Sequence, residues 1–502
     1  MPETLSSAPP PSATVPTKSE RVKSDRGGAH RAKAPRVRAP LNDLEPSLVS
    51  GRTYVTRRRL TYIDAAALLS LMLVLISLVP ANLIVPGMTD IGRPGLVVAF
   101  ILFCWWLLVR FTRHLVMTGP QPMRWAIFAF LMSAIASYAV AFMRSLTSIE
   151  KNGADRVLLF FFMLAGVTLM AADGIPNWFR LRNILNVLVW SAGLVGLIAV
   201  FEYVTGIDAT AYMQIPGLQA KTPPLGFMER GDSFRVAATT AHYIELAAFL
   251  SLALPFAIHQ ALYGHSRAHR RAGLIFGVLI AAGNAATISR TGIIGIVLTF
   301  LALFPVWTWR VRYNMLVMSI GLFLAVGVAG PGLFRTLVRL FADTSQNSSI
   351  QARTGRYPMV FRYFAEAPWL GRGTGTYVSP QYQVLDNQWL STLMSNGIIG
   401  VAAMLGLYVT GIVLATKAMR RSSSPEVRHL CAALIATQLI AIASAATFDS
   451  FGYSTYVMTL GLCLGLCGTV WRLTHPTRTI RTSTTKWFLD RELEQANSLV
   501  RS

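Results

Sequence analysis

Stretches of about twenty mostly apolar residues recur along most of this chain, and they constrain its fold more than any other feature. A helix of that length crosses the ~30 Å hydrocarbon core of a bilayer. In lipid no water pairs a free amide, so a spanning segment must satisfy its backbone internally. The stretches begin near Asp64, Pro94, Arg124, Arg156, Asn183, His242, Ala272, Thr291, Met315, Gln388, His429 and Thr455. The expected fold class is therefore all-α: a polytopic membrane protein with about twelve transmembrane helices. Composition agrees, because 53% of the 502 residues are hydrophobic and only 14% charged, where a soluble protein carries roughly a quarter charged.

The net charge of +23 would suit a nucleic-acid binder, but its placement points elsewhere. Twelve of the 46 Lys and Arg precede Leu60, ending in the run Arg57-Arg58-Arg59, and many others flank apolar stretches. That is the pattern of orientation signals and of contacts with the headgroups of membrane lipids, so no nucleic-acid partner is expected. With the N-terminus in the cytoplasm, connections on that side hold Arg113 and Arg124, then Arg180 and Arg182, then Arg267, Arg270 and Arg271. The next hold Arg310 and Arg312, then Lys417, Arg420, Arg421 and Arg428, and the tail adds Arg472, Arg478 and Arg481. Every short basic cluster falls on one face, as the positive-inside rule demands, and an odd number of spans would break the agreement. Both termini are expected inside, in a multi-pass protein of the cell's inner (cytoplasmic) membrane.

Residues 1 to about 60 are rich in Pro, Ser, Ala and basic residues, without apolar periodicity, and read as a disordered cytoplasmic tail. They lack the apolar core of a signal peptide. The membrane domain runs over residues 61–475, and residues 476–502 form a second cytoplasmic tail. Two outer connections, about 205–241 and 337–387, are longer than joining two helices requires, and long loops in compact proteins tend to be functional. The second holds Tyr357, Phe361, Tyr363, Phe364, Trp369 and Tyr377; so many aromatics predict short helices lying over the outer surface. Cys104, Cys431, Cys463 and Cys467 all sit in apolar runs at no disulfide or zinc spacing, and read as packing residues.

Several chemical engines are missing from the sequence. There is no P-loop, no HExxH and no Asp-x-Asp pair for a metal-bound sugar nucleotide. Gly371-Arg372-Gly373-Thr374-Gly375 superficially suggests a nucleotide loop, but no strand precedes it, and a plain turn is the simpler reading. What remains is an excess of arginine on the outer face: Arg235, Arg290, Arg353, Arg356, Arg362 and Arg372. Any one of them fits a surface salt bridge. Arg290 differs, because the flanking Ile288-Ser289 and Thr291-Gly292-Ile293 leave almost no loop to hold it, and an ionisable group at membrane depth is a functional candidate. Its planar fork suits phosphate oxygens. Asp386, in Asp386-Asn387-Gln388-Trp389-Leu390, reads equally as a helix N-cap or as a general base toward a hydroxyl.

In their order these residues resemble the O-antigen ligase and polymerase superfamily, membrane glycosyltransferases that use undecaprenyl-pyrophosphate-linked glycans. The resemblance covers roughly residues 190–410 and rests on four motifs: Phe234-Arg235-Val236 leading to Thr240-Ala241-His242; Ser289-Arg290-Thr291-Gly292; Gly355-Arg356 with Ala367-Pro368-Trp369-Leu370-Gly371-Arg372 after it; and Asp386-Asn387 reaching Gly397 and Gly400. It implies that Arg235 and Arg290 bind the pyrophosphate, that Asp386 deprotonates or orients the acceptor, and that Arg356, Arg372, Asn387 and Trp369 line the substrate site. It implies neither a metal nor another cofactor, inversion at the anomeric carbon, an acceptor glycan as second substrate, and a chain-length regulator as a partner of such a polymerase. Ligases similar to this family carry His where this chain has Asp386. Aspartate is the weaker base, and its presence shifts the expectation toward polymerisation of exopolysaccharide repeats.

Two other functions stay open on sequence. One is ligation of a finished glycan to a lipid or protein within the same fold. The other is a transporter or flippase of a lipid-linked substrate, which would use acidic residues near span ends such as Glu202, Glu245 and Asp449. For Glu245 the simpler role is a partner for a nearby arginine such as Arg235.

Overall fold

The computed structural model describes residues 64–88, 91–111, 120–223, 226–230, 233–329, 332, 335, 355–378 and 381–475. Both basic tails, the Arg57–Arg59 run, Arg113, Arg353, Arg478 and Arg481 lie outside the described residues. Each of the twelve apolar stretches forms a helix at or near its expected start. In chain order they are α1 (Ala65–Leu78), α2 (Pro94–Phe111), α3 (Pro122–Ala141), α4 (Ser148–Gly174), α5 (Trp178–Thr205), α6 (Tyr243–Tyr263), α7 (Arg267–Ala286), α8 (Arg290–Leu303) and α9 (Trp309–Ala329). A ten-residue helix, α10 (Tyr357–Glu366), follows, and then α11 (Gln388–Arg421), α12 (Pro425–Ala445) and α13 (Ser454–Leu473). Eight of the twelve are long and apolar enough to cross a membrane; α1 and α8 are shorter apolar helices of 14 residues. The chain is essentially all-α and multi-pass. The described strands, β1 (Leu83–Ile84), β2 (Gln219–Ala220), β3 (Met228–Arg230) and β4 (Ser233–Arg235), are two- or three-residue pieces in two antiparallel pairs.

Local chemistry sets the helix ends. Asp64 accepts from the Ala67 amide at 2.9 Å, Asn177 from Arg180 at 2.9 Å, and Thr147 with Glu150 closes a capping box on α4. Pro122 and Pro425 occupy first turns, where the missing N–H costs nothing.

Every residue of α13 from Thr455 to Leu473 is buried, as is α6 from Glu245 to Gln260, so these two helices form the centre of the bundle. A helix apolar all round belongs there. Small residues let α13 approach α4: a Cβ on Gly465 would lie 2.5 Å from the Thr168 carbonyl oxygen, and Gly461 stands one turn earlier. Cys463 and Cys467 are free thiols buried on the α12 side of α13, where Gln438 reaches Cys467 at 3.8 Å, as packing residues should be.

The basic clusters also clamp helix ends. Arg124 grips Asp173 with two nitrogens at 2.8 and 2.9 Å, joined by Arg110 at 3.2 Å; Arg180 meets Asp64 at 2.7 Å and Arg182 meets Glu426 at 3.2 Å. These pairs lie at the end of the bundle away from the starts of α6, α8, α11 and α13.

Candidate functional site

Four helix N-termini gather at one end of the bundle. Glu245, in the first turn of α6, accepts from the Thr455 amide of α13 at 2.7 Å and from Ala241 at 2.8 Å. Thr291, in the first turn of α8, hydrogen-bonds Thr447 at 2.9 Å, in the connection between α12 and α13. Asp449 of that connection holds the start of α11. Each N-terminus contributes a positive dipole end, and side chains cap three of the four: Glu245 on α13, Asn387 on α11 and His242 on α6.

Glu245 therefore does not pair with Arg235, as its sequence position suggested. It caps α13, and its charge also draws Arg93, whose guanidinium reaches Ser454 at 2.6 Å and the Ile76 carbonyl at 2.8 Å. A buried carboxylate spent on backbone amides is a structural part.

Asp386 stands at the centre of the predicted set. Its φ is +52, in the left-handed region that a side chain rarely occupies. The Asp449 carboxylate holds it there, accepting from the Asp386 amide at 2.9 Å, from Asn387 at 3.1 Å and from the Ser391 hydroxyl at 3.0 Å. Burial raises the Asp449 carboxyl above the usual range, opposed by these hydrogen bonds. The helix cap falls to Asn387, whose Oδ1 accepts from Trp389 at 3.0 Å and Leu390 at 3.3 Å. With the cap supplied by its neighbour, the Asp386 side chain is half-exposed and meets Arg356 at 3.6 Å. Asn387, expected as a substrate contact, thus spends its carbonyl oxygen on capping.

Arg235 closes the β3–β4 pair and lies over the Tyr243 ring at 4.3 Å. Its Nε is buried without a hydrogen-bond partner, and burial lowers the guanidinium below the ordinary arginine range. An unspent buried donor suits an incoming anion. His242 is the N-cap of α6, and its imidazole feels the repulsion of Arg235 and the attraction of Asp386. Burial pushes it down to about 4, so the ring is neutral, and its Nδ1 accepts from Ile244 at 3.2 Å. Arg290 is the first residue of α8, one step from the Thr291–Thr447 contact. The preceding Ile288 has φ +47, the conformation that turns the chain sharply between α7 and α8.

Arg372 and Trp369 serve a different structure. Helix α11 breaks at Gly397, with φ 65 and ψ −166. The Pro368–Gly373 segment is spliced into the break: Ile398 N–H donates to Pro368 at 2.9 Å and Ile399 to Trp369 at 3.3 Å, while Arg372 donates to Met394 at 2.9 Å and Gly373 to Ser395 at 2.9 Å. The Gly-rich run is therefore a turn that completes a helix ladder. A Cβ at Gly397 or Gly371 would collide with the facing backbone. Arg372 itself lies over Tyr363 at 4.1 Å and meets Glu366 at 3.8 Å, and the Trp369 indole is 66% exposed. Neither contacts the Asp386 cluster. The aromatic segment does form a helix: α10 lays Val360 against Leu385 and Met394.

The sequence reading passed over Asp449 and His242 as site residues. Both left a signal, Asp449 as an acidic group near a span end and His242 inside the first motif, but only the fold shows what they face.

The fold defines a multi-pass, essentially all-helical membrane protein. Residues 275–405 match the family described as O-antigen ligase, the family that the ordered motifs resemble. The matched segment holds Arg290, Arg356, Trp369, Arg372, Asp386 and Asn387 and stops short of Arg235. No curated protein matches the chain.

Proposed function

We propose that the protein polymerises lipid-linked oligosaccharide repeat units into an exported polysaccharide at the outer face of the cytoplasmic membrane, with both termini inside. The observation that carries this reading is the half-exposed Asp386 carboxylate paired with Arg356, at the end of the bundle where Arg235 lies over Tyr243 at the start of α6. The donor is an undecaprenyl-pyrophosphate glycan. Its anomeric carbon is attacked by a hydroxyl of the acceptor glycan; the new C–O bond forms as the bond to pyrophosphate breaks, with inversion. The hydroxyl proton passes to Asp386, and Arg235 and Arg290 take up the charge that develops on the departing pyrophosphate. Pyrophosphate leaves readily, so the reaction asks for no metal. An apolar cavity of about 480 Å³ between α6, α7, α8 and α9 supports the donor's identity. Leu254, Leu274, Ile296 and Phe323 line it, and Ile293, one turn from Arg290, lies on its wall, where a polyprenyl chain would run from its headgroup.

The matched family's description fits ligation of a finished glycan as well as polymerisation. Purified protein in nanodiscs, given a lipid-linked repeat, separates them: polymerisation yields a ladder, ligation one transferred block. Unchanged product length and yield in both Arg290→Ala and Asp386→Ala would falsify the assignment. Transport is less well supported. The break at Gly397 is the kind of feature a transporter uses to bind ions, yet the amides of Ile398 and Ile399 and the carbonyls of Met394 and Ser395 are consumed by the spliced loop.

A further inference from the structure

A second cavity, of about 340 Å³, opens between α3, α4, residues 375–378 and 382–385, and the first turns of α11. It falls in the ~300–1,000 Å³ range of small-molecule sites. Arg235, His242, Arg290 and Asp386 take no part in its lining. Beside two charged residues, Arg156 and Asp449, its walls are of two kinds. Gln388, Ser391, Thr392 and Asn396 recur at helical spacing along one face of α11; Gln388 donates to Thr392, Ser391 to Asp449 and Asn396 to Thr374, and the hydrogen-bonding capacity they have left is what faces an occupant. Opposite them stand aromatic rings: Tyr377 and Tyr382 stack at 4.8 Å and 21°, while Phe130, Phe161 and Phe451 meet with centroids 5.0 to 5.7 Å apart.

Hydrogen-bonding groups, with a guanidinium and a carboxylate among them, beside aromatic surface are what a sugar ring asks for, since it carries hydroxyls on its rim and C–H groups on its faces. An acyl chain would find the polar face of α11 costly, and belongs in the apolar cavity between α6 and α9. Asp449 connects the second cavity to the chemistry: it lines the wall and also accepts from the amides of Asp386 and Asn387. An occupant touching Asp449 lies one residue from Asp386.

We infer that this cavity is the subsite for the acceptor saccharide, separate from the place of the donor pyrophosphate. The inference rests on the transferase reading for the word acceptor, and on the cavity alone for the saccharide. Two probes test it on the full chain in nanodiscs: the water-soluble repeat oligosaccharide released by mild acid from the lipid-linked pool of the producing cells, and glycan-free undecaprenyl pyrophosphate. Val384 is 48% exposed on the cavity wall, so Val384→Trp fills the space without entering the core. We expect it to weaken oligosaccharide binding about tenfold or more, and Tyr377→Ala about threefold to tenfold, at unchanged undecaprenyl pyrophosphate affinity and unchanged melting temperature. Arg290→Ala should do the reverse. Parent-like oligosaccharide binding in both cavity variants, or parallel loss of both ligands, overturns the subsite. Cavity-dependent saccharide binding with no transfer from any lipid-linked donor would keep the site and sink the transferase reading. Transfer by Val384→Trp with the parent's KM for acceptor would do the opposite.

Discussion

At the scale of single residues, the site separates groups that hold the backbone from groups left to act. Asn387 and Asp449 spend their oxygens on α11, and Asp386 and Arg235 do not. Arg235→Ala and Arg290→Ala should each lower kcat by about 10²–10³, the usual cost of removing a donor to developing negative charge. Arg290→Lys should recover little, because an ammonium cannot reproduce a planar fork; turnover of a lipid-linked repeat measures both. Asp449→Asn places an N–H₂ against backbone donors and should destabilise the protein by about 1–3 kcal/mol, read as a lower melting temperature in detergent. His242 adds a pH effect. Its proton is taken up near 6.5 in the unfolded chain and only near 4 in the folded one. The stability it supports is complete above pH 6.5 and declines as pH falls toward 4. His242→Asn keeps a capping acceptor and should flatten that acid limb of thermal stability, whereas an unaltered limb would count against the assignment.

At the scale of elements, the spliced helix is the least ordinary feature. A break in α11 exposes two amides and two carbonyls near the bundle interior, and the Pro368–Gly373 segment repairs all four. Both glycines are needed for it, since Gly397 and Gly371 have positive φ and lie against backbone. Gly397→Ala should cost at least ~1–2 kcal/mol from the left-handed conformation alone, and more from the collision. The resulting loss of thermal stability should come with loss of turnover, because the same loop carries α10 and the cavity wall at Tyr377 and Val384. In sequence, the Gly-rich run was legible as a turn and Gly397 as part of a motif. That one plugs into the other was not legible, because the hydrogen bonds join residues 22 to 30 positions apart and leave no local periodicity.

At the scale of the whole molecule, the bundle sets basic clamps at one end and the Asp386–Arg356 pair with Arg235 at the other. Cysteine labelling from either side of sealed vesicles should find Val384→Cys accessible from outside and residues of the α7 start only from inside. Labelling on one common side would refute the orientation. Activity should survive prolonged treatment with EDTA, and its loss, restored by added divalent cation, would show that a metal shares the work proposed for the arginines.

Sequence alone determined the elements, because spanning lipid imposes a length and an apolarity that hydropathy reads directly. It also marked the expensive residues, since an arginine between Ile288 and Ile293 stands out against its surroundings. Tertiary structure decided partnership. Glu245 serves α13 and not Arg235, Asn387 takes the cap that Asp386 might have filled, and Arg372 and Trp369 belong to the splice instead of the central cluster. The physical reason is the same in each case: a buried polar group goes to whichever donor or acceptor the packing of distant helices brings within reach, and that distance is written in no local stretch of the chain.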